Sequence, residues 1–542
     1  MKSCYTSFIK DMYFTNGMLF YRSISIVVVV YLRMEAIMKK IFESVDKTIF
    51  LVAGSITLLL AIVSIVFTEQ VASIFSGIFN FFTSTLGFAY IGFALFVIVA
   101  CLFVSFSKYG KIRLGGDDEK PEYSNISWFS MIFAAGMGIG LVFWSVAEPM
   151  NHFMVPPFAD PQTPEAAVEA LQYTFLHWGV HPWALYAAVA LPMAYFHFRK
   201  GLPLLVSSSF YPFLGDKALK GGFSKGIDTF TVILILIGVA TSFGLGALQI
   251  QSGLEFVFHI SGGTLLAVVI VVICTVLFVI SSTAGIDRGM KLLSNTNTVI
   301  VFAVMLFVLL VGPTLYIFNI TLESIGDYIF KFIPMSFFTD ANGTVAAHTG
   351  ENWIGNWTVF YWAWWITWTP FVGSFIAKIS KGRTIREFVL AILGVPTIMS
   401  CIWFGIMGGT GLNMELTNPG SVIQNGAVDT NSSVFQMLSN LPLSGVISVL
   451  VMLSLLVFFL TSADAGVQVV STMSSRGREN SQKLIKVIWG VILGLLAIMF
   501  IVTGGLSAVQ SLSFAFSFPF LIIICLMMAG FFKYLKKEEL DE

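Results

Sequence analysis

Long apolar stretches alternate with short polar segments along most of the chain. Twelve of these stretches reach the length of about 20 residues that a membrane-crossing helix needs. They lie at 49–67, 86–106, 126–146, 173–197, 228–250, 263–282, 297–318, 356–377, 387–409, 443–465, 484–503 and 513–532. The pattern predicts an all-α polytopic membrane protein with twelve transmembrane helices.

Composition and charge agree with this prediction. Hydrophobic residues make up 56% of the chain and charged residues only 11%, which excludes a soluble globular domain. Lys and Arg concentrate in the loops after the second, fourth, sixth, eighth and tenth stretches, whereas the opposite loops carry only Lys331. The positive-inside rule then predicts a plasma-membrane protein with both termini in the cytoplasm, and the 147–172 loop, which contains Glu148, outside.

The N-terminal segment fits this pattern less well. Residues 24–32 form an apolar run that is too short to cross a membrane, and Met34 and Met38 each precede a plausible start. We interpret residues 1–37 as an extension from an upstream start codon, with an amphiphilic membrane anchor as the alternative. Residues 38–532 then form the membrane domain, and residues 533–542 form a short cytoplasmic tail.

The eighth stretch is unusually rich in aromatic side chains. It contains the tryptophans Trp362, Trp364, Trp365 and Trp368. At about 100° per residue, Phe360, Trp364 and Trp368 share one face of a helix, with Trp365 at its edge. A row of electron-rich rings favours a cation that cannot form hydrogen bonds, and quaternary ammonium groups are the best-known example. Packing between helices is the alternative explanation.

The fourth stretch offers further rings and two histidines. Trp178, Trp183 and Tyr186 fall within an arc of about 140° if they share one helix, where they could complete a cage begun by the eighth stretch. His177 and His181 stand four residues apart, but no third ligand has suitable spacing, which disfavours a metal site. The five cysteines show neither disulfide nor metal-site spacing.

The third stretch contains three glycines at alternate positions, Gly136, Gly138 and Gly140. Because glycine destabilises a helix interior, the helix is predicted to unwind there, and such breaks mark binding sites in transporters. Close helix packing through small residues is the alternative. Thr461 and Ser462 in the tenth stretch could bind sodium together with freed carbonyls, or could instead bond to the preceding turn. The shortage of buried carboxylates favours a substrate whose own charges balance.

Five sequence segments make the chain resemble the betaine/carnitine/choline transporter family from about residue 38 to residue 532. They are AAGMGIGLVFW at 134–144, HWGVHPWALY at 177–186, YWAWWITWTPFVGSF at 361–375, KISKGRTIREF at 378–388 and FFLTSADAG at 458–466. The resemblance implies a leucine-transporter-like core, in which stretches 3–7 and 8–12 form two inverted five-helix repeats after two extra helices. It also implies a homotrimer, supported by a helix at 321–338 along the outer membrane face.

The resemblance further assigns the family's sites to particular residues. The substrate site falls on the aromatic box Trp178, Trp183, Tyr186 and Trp365, on the inner route Trp364, Trp368 and Phe360, and on the break Gly136, Met137, Gly138 and Gly140. The sodium site falls on the carbonyls of Ala134, Met137 and Phe458 and on the hydroxyls of Thr461 and Ser462. A second sodium site is not expected, because Ile235 and Val239 replace the threonines of two-sodium members.

These observations predict a secondary transporter that imports glycine betaine or a related quaternary ammonium compatible solute with sodium. Membrane lipid is an expected partner, whereas nucleic acid and any cofactor other than the coupling sodium are not. Choline uptake or carnitine/precursor exchange is the alternative within the family. An enzyme is disfavoured because acid–base pairs and metal-ligand clusters are missing from the apolar stretches. A channel is disfavoured because an aromatic cage retains its ligand.

Overall fold

The computed structural model describes residues 41–136, 138–284, 287–478 and 482–541. Within these ranges the protein is helical and has no β-strand, only isolated bridges. The long helices are α1 (Lys47–Val66), α2 (Thr68–Thr85), α3 (Gly87–Phe106), α4 (Asn125–Gly136), α5 (Ile139–Met154), α6 (Pro164–Trp178), α7 (Val180–Ala194), α8 (Gly222–Phe258), α9 (Gly263–Ala284), α10 (Asp287–Val311), α11 (Thr314–Phe337), α12 (Phe360–Lys378), α13 (Ile385–Thr417), α14 (Ser444–Ser474), α15 (Lys483–Val502) and α16 (Leu506–Asp541). The interpretation of residues 1–37 falls outside the described residues.

Nine helices of the described ranges are long and apolar enough to cross a membrane: α1, α3, α8, α9, α10, α13, α14, α15 and α16. The other three predicted stretches contain interrupted helices: the pairs α4–α5 and α6–α7, and α12 after a π-helical turn at Gly355–Val359. The prediction of a multi-pass, all-helical membrane protein is therefore confirmed. The count of twelve crossings stays a prediction.

Helices α2 and α11 lie largely outside the twelve stretches. α2 is not predicted by the sequence, and its Phe79 packs against Phe514 of α16 with ring centroids 5.5 Å apart. α11 includes most of the 321–338 segment, where a helix is expected. Within this helix Tyr328 is 4% exposed and Ile329 is 69% exposed, so apolar residues lie both against the rest of the protein and on its surface.

The fourth predicted stretch is not one helix. α6 ends at Trp178 and α7 begins at Val180, with Gly179 between them at φ −97° and ψ −131°. Pro182 lacks the N–H that would bond to the Trp178 carbonyl in a continuous helix. A Cβ at Gly179 would lie 2.4 Å from the Phe175 carbonyl oxygen. The predicted single helical face for Trp178, Trp183 and Tyr186 is therefore wrong, since these residues belong to two helices.

Backbone hydrogen bonds join two loops that are distant in sequence. The Leu114 N–H donates to the Arg383 carbonyl, and the Gly382 N–H donates to the Leu114 carbonyl, both at 2.8 Å. The Arg383 guanidinium bonds to Asn125 Oδ1 at the start of α4 and lies 4.3 Å over the Trp128 ring. We call residues 112–114 and 382–385 the loop clip. It links the beginning of α4 to the α12–α13 connection.

Candidate functional site

Trp365 of α12 lies at the centre of a group of buried aromatic rings. Its centroid is 5.0 Å from that of Trp178 and 5.6 Å from that of Tyr186, with interplanar angles of 88° and 86°. Trp183 reaches the group through Tyr186, at 5.4 Å. All four side chains are buried. Because α12 packs along α7, the structure brings together the four residues that the resemblance assigns to the aromatic box.

The rings of the aromatic box contact one another edge to face, which is a favoured geometry for aromatic pairs. Since Trp178 and Tyr186 each contact Trp365, a trimethylammonium group can enter between Trp365 and either neighbour only if those rings separate. Trp183 Nε1 and Tyr186 Oη are buried and have no hydrogen-bond partner among the described residues. Because buried polar groups normally have partners, these two donors are available to a polar ligand.

The inner-route residues continue from the box along α12. Phe360 and Trp364 stack with centroids 5.8 Å apart and an interplanar angle of 11°, and Trp368 follows on the same helix. A Cβ at Gly140 would lie 3.1 Å from the Trp364 ring and 3.4 Å from the Trp178 ring. Glycine therefore allows α5 to approach both rings closely.

Thr241 of α8 is a neighbour of the inner route that sequence reasoning missed. Its hydroxyl accepts the Trp364 Nε1 hydrogen at 3.2 Å and donates to the Gly238 carbonyl at 2.6 Å. This bond fixes one edge of the Trp364 ring. The sequence does not indicate this hydrogen bond, because Thr241 is a lone threonine in an apolar helix and its partner lies more than one hundred residues away.

Ser462 of α14 faces the break between α4 and α5. Its hydroxyl oxygen lies 3.8 Å from the position of a Cβ at Gly138. The Thr461 hydroxyl donates to the Val457 carbonyl at 2.9 Å, which leaves its oxygen lone pairs free to bind a cation. Phe458 lies within one turn of both hydroxyls on the same helix.

The chemistry of these groups fits sodium, because hydroxyl and carbonyl oxygens are hard ligands. The structure describes Ala134 and Gly136 only as the end of α4, and Met137 lies outside the described residues. At the place where the resemblance would put a second sodium, Ile235 and Val239 are each 1% exposed. Their apolar side chains supply no oxygen ligand.

Glu148 of α5 is a buried carboxylate that sequence reasoning placed in the 147–172 loop. That placement is wrong, because α5 continues to Met154 and Glu148 is 0% exposed. Oε1 faces His177 Nδ1 at 2.7 Å and His152 Nε2 at 3.2 Å. Oε2 accepts from Trp178 Nε1 at 2.6 Å and from the Tyr361 hydroxyl at 2.5 Å. We call these five residues the Glu148 cluster.

The Glu148 cluster also corrects two other interpretations of the sequence, namely the shortage of buried carboxylates and the lack of a third potential metal ligand near His177. Carboxylates are not absent from the interior, and the nearest ligand atoms of Glu148, His152 and His177 lie within 4.8 Å of one another. His181, in contrast, bonds to Ser336 Oγ at 2.9 Å and stacks on Trp362. The spacing of Glu148 and His152 by four residues was the available sequence signal.

Comparisons with known proteins identify relatives along almost the whole chain. Residues 48–540 match the model of the BCCT, betaine/carnitine/choline family transporter. The chain is 42% identical over 492 residues to the glycine betaine transporter OpuD of Bacillus subtilis (strain 168), which covers 91% of this chain and 94% of that protein.

Two further relatives share 38% of their aligned residues with this chain. One is a probable glycine betaine transporter of Desulfitobacterium hafniense (strain Y51), aligned over 91% of this chain and 99% of its own. The other is an ectoine/hydroxyectoine transporter of Virgibacillus pantothenticus, aligned over 92% of this chain and 98% of its own.

Proposed function

The chain belongs to the betaine/carnitine/choline transporter family, and on that premise we propose that it imports glycine betaine or a related quaternary ammonium compatible solute with sodium. Membership of this family makes the protein a transporter and not an enzyme. A small-molecule substrate and a membrane location follow from the same membership, and the nine long apolar helices agree with them.

The meeting of Trp178, Tyr186 and Trp365 in one buried group carries the substrate proposal. Each ring face attracts a quaternary ammonium group by about 0.5–2 kcal/mol, and more when water is excluded. The unpartnered Trp183 Nε1 and Tyr186 Oη add donors for an anionic end of the ligand. A zwitterion such as glycine betaine satisfies both kinds of group.

Sodium coupling is supported by the position of Ser462 beside Gly138 and by the free lone pairs of Thr461. We expect one sodium per substrate, because the buried Ile235 and Val239 offer a second ion only an apolar lining. Dehydrating a cation against such a lining is unfavourable. Flux-ratio stoichiometry in proteoliposomes checks this expectation, and a ratio of two contradicts it.

The proposal also covers the architecture of the whole chain. We expect twelve membrane crossings, two inverted repeats, cytoplasmic termini and a trimer. The exposed apolar residues of α11, among them Ile329 and Phe330 at 69% and 84% exposure, support burial against lipid or a neighbouring subunit. Mass measurement in mild detergents tests the trimer, and only monomer across several detergents and lipids contradicts it. Labelling of terminal cysteines from either side of the membrane tests the orientation.

Uptake into proteoliposomes tests the function directly. The substrate panel comprises glycine betaine, choline, carnitine, ectoine and proline, each with and without a sodium gradient. We expect sodium-dependent uptake of glycine betaine, with choline and proline clearly weaker. Sodium-independent exchange of carnitine against a preloaded precursor would instead support the alternative within the family.

A further inference from the structure

Glu148 places a carboxylate at the edge of Trp178, one ring of the aromatic box. The Trp178 indole N–H donates to Oε2 at 2.6 Å, while the ring of the same indole lies 5.0 Å from Trp365. Both residues are buried. A carboxylate in this position acts through a medium that screens charge less than water does.

The hydrogen bonds around Glu148 fit its ionised form. Trp178 and Tyr361 donate to Oε2, and His152 Nε2 and His177 Nδ1 donate to Oε1 in the tautomers that carry hydrogen on those atoms. The His177 tautomer leaves Nε2 to accept from the Thr358 hydroxyl at 2.9 Å. An ionised carboxylate accepts hydrogen bonds at both oxygens, so four donors satisfy it without a further partner.

The Glu148 cluster also reaches the second wall of the box. The His177 carbonyl accepts the Trp365 Nε1 hydrogen at 2.9 Å. The His177 ring, held by Glu148, stacks on Tyr361 with centroids 4.6 Å apart and an interplanar angle of 13°. The carboxylate therefore bonds to Trp178 directly, and the backbone of a second residue that it contacts, His177, holds Trp365.

We propose that Glu148 is a positioning residue that sets the cation preference of the aromatic box through Trp178. Its negative charge makes the bonded indole ring more attractive to a cation, and its hydrogen bonds hold the indole in place. This inference rests on the proposed function, because it concerns how the box selects a quaternary ammonium group.

A metal site is the competing explanation for Glu148, His152 and His177. The structure favours direct hydrogen bonding, because Glu148 Oε1 and His177 Nδ1 approach to 2.7 Å and face each other. In a metal site both atoms would instead face the ion. Stoichiometric metal in purified wild-type protein, lost in the Glu148→Gln variant, would overturn the proposal.

The test compares two ligands of the same shape and different charge. Glycine betaine has a cationic nitrogen, and 3,3-dimethylbutanoate has a neutral carbon at that position. Glu148→Gln removes the charge but keeps the size and an oxygen that can accept from Trp178. We expect the dissociation constant of glycine betaine to rise about tenfold, as for the loss of one charge-assisted interaction. We expect 3,3-dimethylbutanoate to bind equally or more tightly.

A purely structural role would weaken both ligands by the same factor, and that result contradicts the proposal. A glycine betaine constant within threefold of wild type contradicts it as well. The matched control is Ser336→Ala, which removes a buried hydrogen bond to His181, a histidine of α7 that lies outside the Glu148 cluster. It should leave the ratio of the two constants unchanged.

Trp178→Phe gives a second test in case the Glu148→Gln variant does not fold. It keeps a ring but removes the N–H that links the box to Glu148, so it should also lower the preference for the cationic ligand. An unchanged preference contradicts the proposal. If wild-type protein binds neither glycine betaine nor another quaternary ammonium solute, the proposed function itself is wrong, whereas equal preferences in wild type and variants overturn only this inference.

Discussion

At the scale of single residues, the aromatic box depends on ring faces and on one missing side chain. Trp365 contacts Trp178 and Tyr186 within the box, and it also contacts Trp364 of the inner route. Gly140 lets α5 lie against two of these rings. Each feature predicts the effect of a substitution.

Replacement of Trp365 by Leu should weaken the apparent affinity for glycine betaine about 5- to 30-fold. Leucine keeps the site apolar but removes the ring quadrupole, so one cation–π contact of about 1–2 kcal/mol is lost. Substrate-concentration series of uptake measure the effect. Trp362→Leu is the control, because Trp362 stacks on His181 outside the box. Unchanged affinity with normal expression would show that the box does not bind the cation.

Replacement of Gly140 by Ala should also weaken binding, by about fivefold or more. The new methyl group would lie 3.1 Å from Trp364 and 3.4 Å from Trp178, and crowding of this kind costs about 1–3 kcal/mol when the neighbours cannot move. Gly394→Ala is the matched helical control, because nothing lies within 4 Å of its Cβ position. Equal affinities of the two variants would contradict the close contact at Gly140.

At the scale of helices, the sequence predicts the apolar segments well and their interruptions only in part. The glycines at 136, 138 and 140 indicate a break, and the structure ends α4 at Gly136 and begins α5 at Ile139. The pattern of apolar residues does not predict the break at Gly179, because helix α7 begins at the next residue. The sequence also does not predict the cluster around Glu148, because the hydrogen-bond partners of Glu148 come from α6 and α12 as well as from its own helix.

The pairing of α14 with the α4–α5 break predicts the behaviour of a double variant. Thr461→Ala with Ser462→Ala removes both hydroxyls that can bind sodium next to Gly138. Sodium should then no longer stimulate uptake, because the remaining carbonyls cannot complete the ion's shell. Initial uptake rates at a series of sodium concentrations measure this. A double variant with the sodium dependence of wild type would exclude this site.

At the scale of the whole molecule, Asp46 lies outside the membrane-spanning segments and connects the three helices α1, α8 and α14. It caps α1 through the N–H groups of Thr48 and Ile49, pairs with Lys225 of α8 at 3.0 Å, and lies 3.6 Å from Arg476 after α14. Burial alone would raise the pKa of this carboxyl, but the bonds from Lys225 and Ile49 outweigh it and hold the pKa below its ordinary value.

Asp46→Asn should therefore lower the thermal stability at neutral pH, by about 1 kcal/mol. A lowered pKa in the folded state means that the stabilisation is present above the unfolded-state value and is lost as pH falls through the folded-state value. The difference in apparent Tm between wild type and variant should thus be full at pH 7 and shrink below about pH 4. Asp117→Asn, at an exposed pair with Arg199, is the control. A constant difference would contradict the ionic contribution.

The loop clip has a mechanical consequence for alternating access. Its backbone bonds join the segment after α3 to the segment after α12, and the Arg383 side chain joins the latter segment to the start of α4, so these parts are expected to move as one unit. When the transporter opens at the end where the loop clip lies, α4 and α12 should therefore move together away from α8 and α14. They should not separate from each other. Arg113 and Thr384 face each other in an antiparallel bridge. A disulfide engineered between Arg113→Cys and Thr384→Cys should therefore leave transport intact. Loss of transport on oxidation would show that the two loops must separate during transport.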